Sequence, residues 1–475
     1  MDSATLDRRY VWHPFTQMRE WCARKPLVIV EGEGAMLRDE QGREYFDGNS
    51  SIWTNLHGHR RPEIDEAIRT QLGRVAHTSF LGLTNEATPP YARALLQAFT
   101  RREEPEGWRA FFSDDGSTAV EAGLKMMHQA RQQRGEEHRT AFISVAAGYH
   151  GDTVGAMSAG HSPVFHGVYR GLMFATREVP SPACYRCPYN RARPERGADA
   201  RDSRRCNWEC VREAERVLDE AGPAASAFVL EPRVQGAGSM SMHAPGYLAR
   251  VAEMCRARGV WLMLDEVLTG FGRTGAMFAT HHEDVQPDVV ALGKGITGGY
   301  LPLAATLADE EIFAAFLGDF DEWKTFFHGH SYSGNQLGCA AAQASLALLQ
   351  TTHTLEHIRA RAATLHALVQ RFWEHPHVGD VRCEGLICAI ELVDDFATRR
   401  SFPPEQRVGF RVCEAARAHG LLTRNVGDVL VLMPPYCATE AQLAAACDAL
   451  WQALQEVLRH GYACDPKMPD VRKTQ

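Results

Sequence analysis

Four short apolar segments alternate with helical patterns through the middle of the chain. The apolar segments, each typical of a buried strand that ends in a turn, are 141–152, 227–232, 261–267 and 288–295. The stretches with the apolar spacing of amphipathic helices are 117–134, 207–221 and 246–259. Buried strands separated by helices predict an α/β fold, with a mostly parallel sheet covered by helices on both faces. Ligands bind such sheets at the carboxyl ends of the strands, so the polar residues after each strand are candidates for function.

The two ends of the chain have a different pattern from the middle. Near the C-terminus the sequence predicts a long amphipathic helix over 340–373, then a hairpin, then a final helix over 439–460. The N-terminal residues contain a short strand pair and are too few to fold alone. We therefore expect a large domain over 51–345 and a smaller α+β domain formed by 1–50 and 346–475.

Charge and hydropathy limit the classes of partner. The formal net charge is −8, which gives no basic field for nucleic acid. No apolar run reaches the roughly 18 residues that a membrane span needs. The first residues contain no apolar stretch of the kind found in a signal peptide. We expect a cytoplasmic protein that acts on small molecules and binds neither nucleic acid nor membrane.

A lysine and an aspartate follow two of the predicted strands. Asp265 ends the apolar run 261–265, and Lys294 follows the next run between Gly293 and Gly295. A lysine that loses water around its ammonium group becomes a nucleophilic amine at neutral pH. An aspartate at the neighbouring strand end can keep a pyridinium nitrogen protonated. Either residue alone would be explained by a helix cap or a surface lysine, but the pair favours a cofactor site.

Two further motifs suit a flat, phosphorylated cofactor. Gly116 and Ser117 begin a predicted helix, and the free N–H groups at a helix start bind anions. A simple N-cap at Ser117 would explain that segment equally well. Tyr149 follows a predicted strand, where its ring can stack on a cofactor.

These motifs together resemble the class III aminotransferases of pyridoxal 5′-phosphate (PLP) fold type I, over essentially the whole chain. The most specific shared feature is LDEVLTGFGRTG followed by GKGITGG, with Lys294 standing 29 residues after Asp265. The resemblance implies that Lys294 carries PLP as a Schiff base and that Asp265 contacts the ring nitrogen. It also implies that Tyr149 stacks on the ring, and that Gly116 and Ser117 hold the phosphate.

The same resemblance implies a homodimer with shared active sites. The segment HGHSYSGN looks like the loop through which one subunit completes the site of the other. In that arrangement His330 and Ser331 reach the phosphate of the partner's cofactor, and Gly329 lies beside the substrate.

Several segments narrow the resemblance to the family members that aminate 8-amino-7-oxononanoate to 7,8-diaminononanoate in biotin synthesis. These segments are WHPFTQM (12–18), DGNSSIWTNLHGH (47–59), GYHGDTVGAMS (148–158), EPRVQGAG (231–238) and LMPPY (432–436). The resemblance implies that Arg424 binds the substrate carboxylate, for which an arginine fork is suited. From the sequence alone, a surface salt bridge is the simpler explanation of Arg424. Phe15, Ile52 and Trp53 would pack along the aliphatic chain.

The amino donor stays open between S-adenosylmethionine and lysine. Phe15 stands where the S-adenosylmethionine-using members usually have Tyr, and Ile52–Trp53 stands where they have a Trp pair. The segments around these positions look closer to the variant that takes its amino group from lysine. Other class III ω-amino-acid or diamine transaminases, acting for example on 4-aminobutyrate or ornithine, are the alternative within the family.

Four of the thirteen cysteines form a cluster in the sequence, which we call the cysteine cluster: Cys184, Cys187, Cys206 and Cys210. They lie in a Cys- and Arg-rich insertion over 181–210, and their C-x2-C and C-x3-C pairs have a spacing that can bind zinc or an iron–sulfur centre. A metal-free loop explains the same spacing, and the site prediction includes no metal. A non-enzymatic alternative makes the insertion a metal-dependent binding module, and racemisation or decarboxylation is the remaining enzymatic one.

Overall fold

The computed structural model describes residues 1–351 and 353–459. The end of the predicted small domain, with Cys464, therefore lies outside the described residues. The described α-helices are Ser3–Tyr10, Met18–Ala23, Ser50–Trp53, Pro62–Leu72, Thr88–Thr100, Gly116–Gln133, Val154–Ala159, Pro163–His166, Glu209–Ala221, Tyr247–Ala257, Glu310–Ala314, Gln336–Thr351, Thr354–Val369, Val408–Ala416 and Glu440–Arg459.

A seven-stranded sheet, called here the large sheet, forms the centre of the molecule. From edge to edge its strands are Trp108–Ser113, Ala304–Asp309, Val289–Leu292, Trp261–Asp265, Ala225–Leu230, Ala141–Val145 and Arg177–Val179. Ala304–Asp309 is antiparallel to both of its neighbours, and the pairs among the last five strands are parallel. The predicted mixed, mostly parallel sheet is confirmed.

Helices cover both faces of the large sheet because its strands are apolar on both sides. Alternate residues of a strand point to opposite faces. Phe228 accordingly packs in one core cluster with helices Glu209–Ala221 and Tyr247–Ala257, whereas its neighbour Val229 packs in another with helix Gly116–Gln133. The predicted helices at 117–134, 207–221 and 246–259 are confirmed, with small shifts in their ends.

Two smaller sheets lie beside the large one. The N-terminal sheet contains Ile29–Glu33, Met36–Asp39, Glu44–Asp47 and Leu421–Leu422. The small sheet contains Val378–Glu384, Ile387–Leu392, Val429–Leu432 and Arg424–Val426 in that spatial order. Phe46 pairs with Leu421 in parallel, so the first 50 residues do join a C-terminal strand. A two-stranded ribbon, Val234–Gln235 with Ser241–Met242, completes the strands.

The predicted hairpin near Gly385 is confirmed, but the predicted single helix over 340–373 is wrong. Two α-helices occupy that stretch, Gln336–Thr351 and Thr354–Val369, followed by the short 3-10 helix Gln370–Glu374. His353, at the start of the second helix, has a φ of 50°, which breaks a right-handed helix. The apolar spacing of the two helices is similar, and the sequence has no Gly or Pro there to mark the break.

One core cluster connects the sheets. It contains Phe112 and Leu292 of the large sheet together with Leu392 and Leu430 of the small sheet. Arg273, only 1% exposed, adds polar links, because its guanidinium donates to the carbonyls of Pro434 and Asn55 at 2.8 and 3.0 Å. Segments that are far apart in sequence are thereby held at one edge of the large sheet.

Candidate active site

A cavity of about 790 Å³ opens at the carboxyl ends of the large-sheet strands. Its lining comes from segments spread over 250 positions of the chain. The polar lining residues include Asp114, Asp115, Ser117, Tyr149, His150, Asp152, Thr153, Glu231, Asp265, Lys294 and Tyr300. Of the residues predicted for the site, the cavity brings together Trp53, Gly116, Ser117, Tyr149, Asp265 and Lys294.

Lys294 follows strand Val289–Leu292 and adopts a φ of 43°, in the left-handed region that a non-glycine residue rarely occupies. Its Nζ lies 5.4 Å from the centroid of the Trp53 ring. Burial lowers the pKa of Lys294, although the charges of Asp265 and Glu231 act in the opposite direction. Because a lower pKa increases the fraction of neutral amine, this lysine is suited to nucleophilic attack and proton transfer.

Asp265 ends strand Trp261–Asp265 and is held from two sides. Its Oδ1 accepts a hydrogen bond from the N–H of Val267 at 3.0 Å, and its Oδ2 lies 2.8 Å from Nδ1 of His150. Burial acts to lower the pKa of His150, but the hydrogen bond and charge of Asp265 outweigh it, so this pKa is raised. His150 thus fixes the direction in which the carboxylate points.

Glu231 is a second buried carboxyl group at a strand end. Its two oxygens accept hydrogen bonds from the backbone N–H groups of Tyr149, at 3.2 Å, and Gly236, at 2.8 Å. Burial raises the pKa of Glu231 to about 7. The buried carboxyl group of Glu231 thus holds the turn after strand Ala225–Leu230.

The start of helix Gly116–Gln133, with Gly116 and Ser117, is the candidate anion cradle of the cavity. The first amides of a helix have no acceptor within it and carry the positive end of the helix dipole. The side chain of Asp115 caps the N–H of Thr118 at 3.1 Å. A Cβ at Gly116 would lie 2.5 Å from Cγ1 of Val267, so the close approach of this turn to the cavity wall requires glycine. Ser117 Oγ lies 2.9 Å from Oγ1 of Thr153.

A row of aromatic rings leads from the cavity to Phe15. Tyr149 donates to Asp152 Oδ2 at 2.7 Å, and its ring stacks on His166 with centroids 5.5 Å apart. The ring of Phe165 meets Tyr149 edge-on at 5.5 Å and Phe15 at 5.7 Å. Phe15 itself lines a separate neighbouring cavity of about 1050 Å³. Phe15 is therefore linked to the site through Phe165.

Arg424 belongs to the small sheet and lies outside the cavity lining, beside Trp53. It begins strand Arg424–Val426, and its Cζ lies 5.4 Å from the centroid of the same Trp53 ring that Lys294 contacts. Burial lowers the pKa of Arg424, although a guanidinium stays charged at neutral pH. The indole Nε1 of Trp53 is buried and meets no acceptor among the described residues. The guanidinium of Arg424 and the Nζ of Lys294 thus both lie beside the indole of Trp53.

The remaining predicted residues lie outside the cavity lining of this chain. Ile52, 53% exposed with a φ of 65°, projects beside Trp53. His330 Nδ1 lies 3.4 Å from Oδ2 of Asp114 at the cavity rim. The carbonyl of Ser331 lies 2.6 Å from Nε2 of His77, and Gly329 adopts a φ of 155°. Gly329, His330 and Ser331 thus lie outside the cavity lining of their own chain.

Sequence reasoning missed His150 and Glu231. Both stand in segments that the family resemblance had already singled out, GYHGDTVGAMS and EPRVQGAG. A buried histidine one residue after the stacking tyrosine, and a glutamate directly after an apolar strand, were available signals. Glu121 was missed as well, and its Oε2 accepts from Thr153 Oγ1 at 2.7 Å.

The residues present fit PLP. The anion cradle suits its phosphate, the buried Asp265 suits a ring nitrogen that carries a proton, and Lys294 suits its aldehyde. His150 Nε2, the far nitrogen of the ring that holds Asp265, is buried without a partner among the described residues. That unpaired nitrogen is consistent with a further polar group at this position.

Comparison with known proteins identifies the family to which the chain belongs. The sequence pattern of the family described as Aminotransferase class-III matches residues 18–454, so the chain belongs to this family. Among relatives, the chain is 45% identical to the adenosylmethionine-8-amino-7-oxononanoate aminotransferase of Geobacter sulfurreducens, over 96% of this chain and 98% of that protein. The family resemblance seen in the sequence is confirmed.

Solved structures agree with the sequence comparison. The crystal structure of adenosylmethionine-8-amino-7-oxononanoate aminotransferase from Methanocaldococcus jannaschii has a TM-score of 0.87 at 40% identity, covering 95% of this chain and 98% of that one. An amine transaminase from an uncultivated Pseudomonas species, solved in its PLP-bound form, has a TM-score of 0.86 at 33% identity and covers 94% and 99%. The predicted fold class is confirmed.

Proposed function

We propose that this chain is a PLP-dependent aminotransferase that converts 8-amino-7-oxononanoate to 7,8-diaminononanoate, with S-adenosylmethionine as amino donor. The observation that carries the proposal is the meeting of Lys294 and Arg424 at one Trp53 ring, with Asp265 in the same cavity. The site therefore offers a nucleophilic amine and a carboxylate receptor within reach of one small substrate. The names of the relatives supply the substrate and the donor.

Each residue has a chemical role in this proposal. PLP, when bound, supplies an aldehyde that takes up amino groups and a ring that accepts electrons. Lys294 Nζ binds the cofactor and then, as a neutral amine, moves the proton from the substrate carbon. Asp265, oriented by His150, holds a proton on the ring nitrogen. The amides of Gly116 and Ser117 bind the phosphate, and Tyr149 covers the ring.

Arg424 and Trp53 would position the acceptor. A guanidinium binds a carboxylate through two parallel hydrogen bonds, which fixes the orientation of the substrate as well as its affinity. With the carboxylate at Arg424, the aliphatic chain lies along Trp53 and the keto group is directed towards Lys294. Phe15 and Ile52 lie further from Lys294, on the path by which a substrate would enter the cavity, and there they would contact the amino donor.

Lysine is a second candidate donor. Phe15 and Ile52 stand at the two positions that depart from the pattern of the S-adenosylmethionine-using members. Phe15 lines the cavity beside the site and Ile52 is half exposed, so both can contact a donor without changing the cofactor site. The same chemistry at Lys294 serves either amine.

We further propose that two chains form the active unit, in the cytoplasm. Exposed apolar side chains occur in the segment that carries Gly329, His330 and Ser331 and in the segment after His77, which contacts Ser331: Phe80, Leu81, Leu83, Phe320, Trp323, Phe327 and Tyr332. Leu81 and Phe320 are each 91% exposed, which an isolated chain in water does not favour. A dimer would cover this surface and place the loop at a second active site. Among the described helices, none is long and apolar enough to cross a membrane.

The division into a large domain over 51–345 and a small domain from the two chain ends stays a proposal. The pairing of Phe46 with Leu421 supports it, because this pairing ties the N-terminal residues to the C-terminal part. The cytoplasmic location is supported by the cysteines, since the twelve in the described residues are all free thiols, as is usual in a reducing compartment.

A half-reaction tests the proposed function. Purified holoenzyme is mixed with S-adenosylmethionine or lysine separately, and the amino form of the cofactor is measured by mass spectrometry. We expect conversion with S-adenosylmethionine, and then 7,8-diaminononanoate when 8-amino-7-oxononanoate is added. If lysine converts the cofactor and S-adenosylmethionine does not, the donor is lysine. Conversion with neither amine would refute the proposal.

A substitution of Lys294 tests separately whether this residue binds the cofactor. Borohydride reduction of the wild type should fix the cofactor on the peptide that contains Lys294, and Lys294→Ala should abolish both this labelling and turnover. Lys25→Ala is the matched control, because Lys25 is exposed and pairs only loosely with Glu40 at 3.7 Å. Normal turnover by Lys294→Ala would overturn the assignment.

A further inference from the structure

The cysteine cluster is the one sequence motif that the aminotransferase site does not use. Cys184, Cys187, Cys206 and Cys210 line a single small cavity of about 20 Å³, together with Arg204, Asn190 and Trp208. A water-sized particle needs about 10–15 Å³, so this cavity has room for one such particle. Four thiols around a space of that size form the ligand set of a closed structural metal site.

The segment that carries these cysteines has little regular structure or apolar core of its own to stabilise it. Residues 180–208 contain no helix or strand, and a stretch of that length without regular structure is uncommon in a folded domain. Its own apolar cluster consists of Tyr185 and Ala200 packed against Val393, with Cys184 at the edge. Such a small cluster provides little hydrophobic stabilisation. A cross-link between its two ends would reduce the entropy of the unfolded segment.

The insertion nevertheless holds a defined position against the small sheet. Arg186 Nε lies 2.7 Å from Glu391, and Arg201 Nη1 lies 2.8 Å from Glu384, both on strands of that sheet. Arg196 donates to the carbonyl of Trp373 at 2.9 Å. At its other end, Cys210 lies in helix Glu209–Ala221, which packs on the large sheet. The insertion thus connects the two sheets, and the cysteine cluster brings its two ends together.

Backbone and side-chain amides of the insertion contact the cysteine cluster. The backbone amides of Tyr189 and Asn190 are directed at the Cys187 thiol. Asn190 also ties the turn together, since its Nδ2 donates to the carbonyl of Cys184 at 2.9 Å. Amide groups directed at a cysteine sulfur stabilise the thiolate form, which is the form that binds metals.

We propose that the cysteine cluster binds one Zn²⁺ ion through four thiolates and thereby fixes the insertion between the two sheets. Each thiol releases its proton to solvent as the ion binds. The site is structural, because four protein ligands leave no open position for a substrate. It is separate from the aminotransferase site, so the proposal does not depend on the function proposed above.

The sulfurs have to move inwards to complete this site. Zn–S bonds of about 2.3 Å place the four sulfurs within about 4 Å of one another. Among the described residues, the group whose ligand atoms already lie within 4.8 Å is a different one, His366, Cys383 and Cys388. That group lies in the core, and His366 is already bonded to the carbonyl of Gly385 at 2.8 Å. Cys184, Cys187 and Cys206 lie outside helices and strands, whereas Cys210 lies in helix Glu209–Ala221, so the first three would move towards Cys210.

Metal content and thiol protection together test the proposal. The holoenzyme is produced without a polyhistidine tag in zinc-supplemented cells and purified without chelator, and zinc and iron are measured by mass spectrometry. We expect one zinc per chain in the wild type and in Cys22→Ser, and at least a tenfold weaker zinc affinity in Cys187→Ser and Cys206→Ser. Cys22 is the matched control because it is an exposed cysteine outside the cluster.

Alkylation of the wild type keeps the test decisive if the serine variants fail to fold. The four cluster cysteines should resist alkylation in the native protein, react after the zinc has been removed, and contain no disulfide. The proposal is overturned if wild-type protein holds no zinc, if it holds iron instead, or if Cys187→Ser retains zinc with unchanged affinity. It is also overturned if the cluster is found as disulfides or is alkylated as fast as Cys22.

Discussion

Replacing Gly116 by alanine tests the anion cradle directly. An added Cβ at this position would lie 2.5 Å from Cγ1 and 2.9 Å from Cγ2 of Val267. Carbon atoms in good contact are about 3.5–4.0 Å apart, so either the Val267 side chain or the start of helix Gly116–Gln133 must shift by about 1 Å. A shift of the helix start moves the amides that are proposed to bind the phosphate.

The expected magnitude follows from the cost of overpacking, about 1–3 kcal/mol. If this cost appears in cofactor binding, the Kd for PLP rises by about 5- to 150-fold in Gly116→Ala. Val267→Ala removes both methyl groups that the new Cβ meets, so the double variant Gly116→Ala/Val267→Ala should return to within a few-fold of Val267→Ala alone. The expected coupling between the two substitutions is therefore about 1–3 kcal/mol, as found for residues in direct contact.

The assay is titration of the cofactor-free protein with PLP, followed by absorbance, for the wild type, both single variants and the double variant. Gly171→Ala is the control, because a Cβ at Gly171 meets no atom within 4 Å. An unchanged Kd in Gly116→Ala would show that this turn does not cradle the phosphate. If the double variant binds PLP as weakly as Gly116→Ala does, contact with Val267 is not the cause of the weaker binding.

Three further predictions concern other parts of the molecule. Arg424→Lys should raise KM for the keto acid about tenfold or more and change kcat less, because an ammonium group lacks the bidentate fork; an equal loss in both constants would contradict this role. Burial raises the pKa of Glu231 from 4.5 to about 7. The unfolded chain therefore loses this proton at lower pH than the native protein, and the wild type should lose about 3 kcal/mol of stability relative to Glu231→Gln as the pH rises from 4.5 to above 7. Thermal melts of both proteins across this range check the sign, and parallel pH profiles would refute it. Arg382→Ala should destabilise the protein by about 3–5 kcal/mol in denaturant unfolding, because it removes the cation that lies 2.9 Å from buried Asp380 and leaves Glu391 paired with Arg186 alone; a loss below about 1 kcal/mol would exclude this pairing as a major contribution.

The elements of the large sheet could be predicted because their signals are local. Each buried strand is a short apolar run, and Asp265 and Lys294 stand directly after two such runs. Parallel strands bring their carboxyl ends to one edge of the sheet, so the sequence was enough to place both residues in one site.

Contacts between distant segments could not be predicted in the same way. His150 supports Asp265 across 115 positions of the chain, and nothing in either segment specifies that pairing. The link from Phe15 to Tyr149 runs through Phe165, which belongs to a third segment. The break near His353 was missed for a different reason, because the two helices have similar apolar spacing on either side of it.

The position of Arg424 has a consequence for substrate choice. Arg424 belongs to the small sheet and Lys294 follows a strand of the large sheet, yet each charged group lies 5.4 Å from the centroid of the Trp53 ring. The two groups are therefore at most twice that distance apart, and core packing between the sheets sets the separation. The spacing between the large sheet and the small sheet would therefore determine which length of substrate fits between Lys294 and Arg424. Substitutions in that core, far from any ligand, should then change which chain length is preferred.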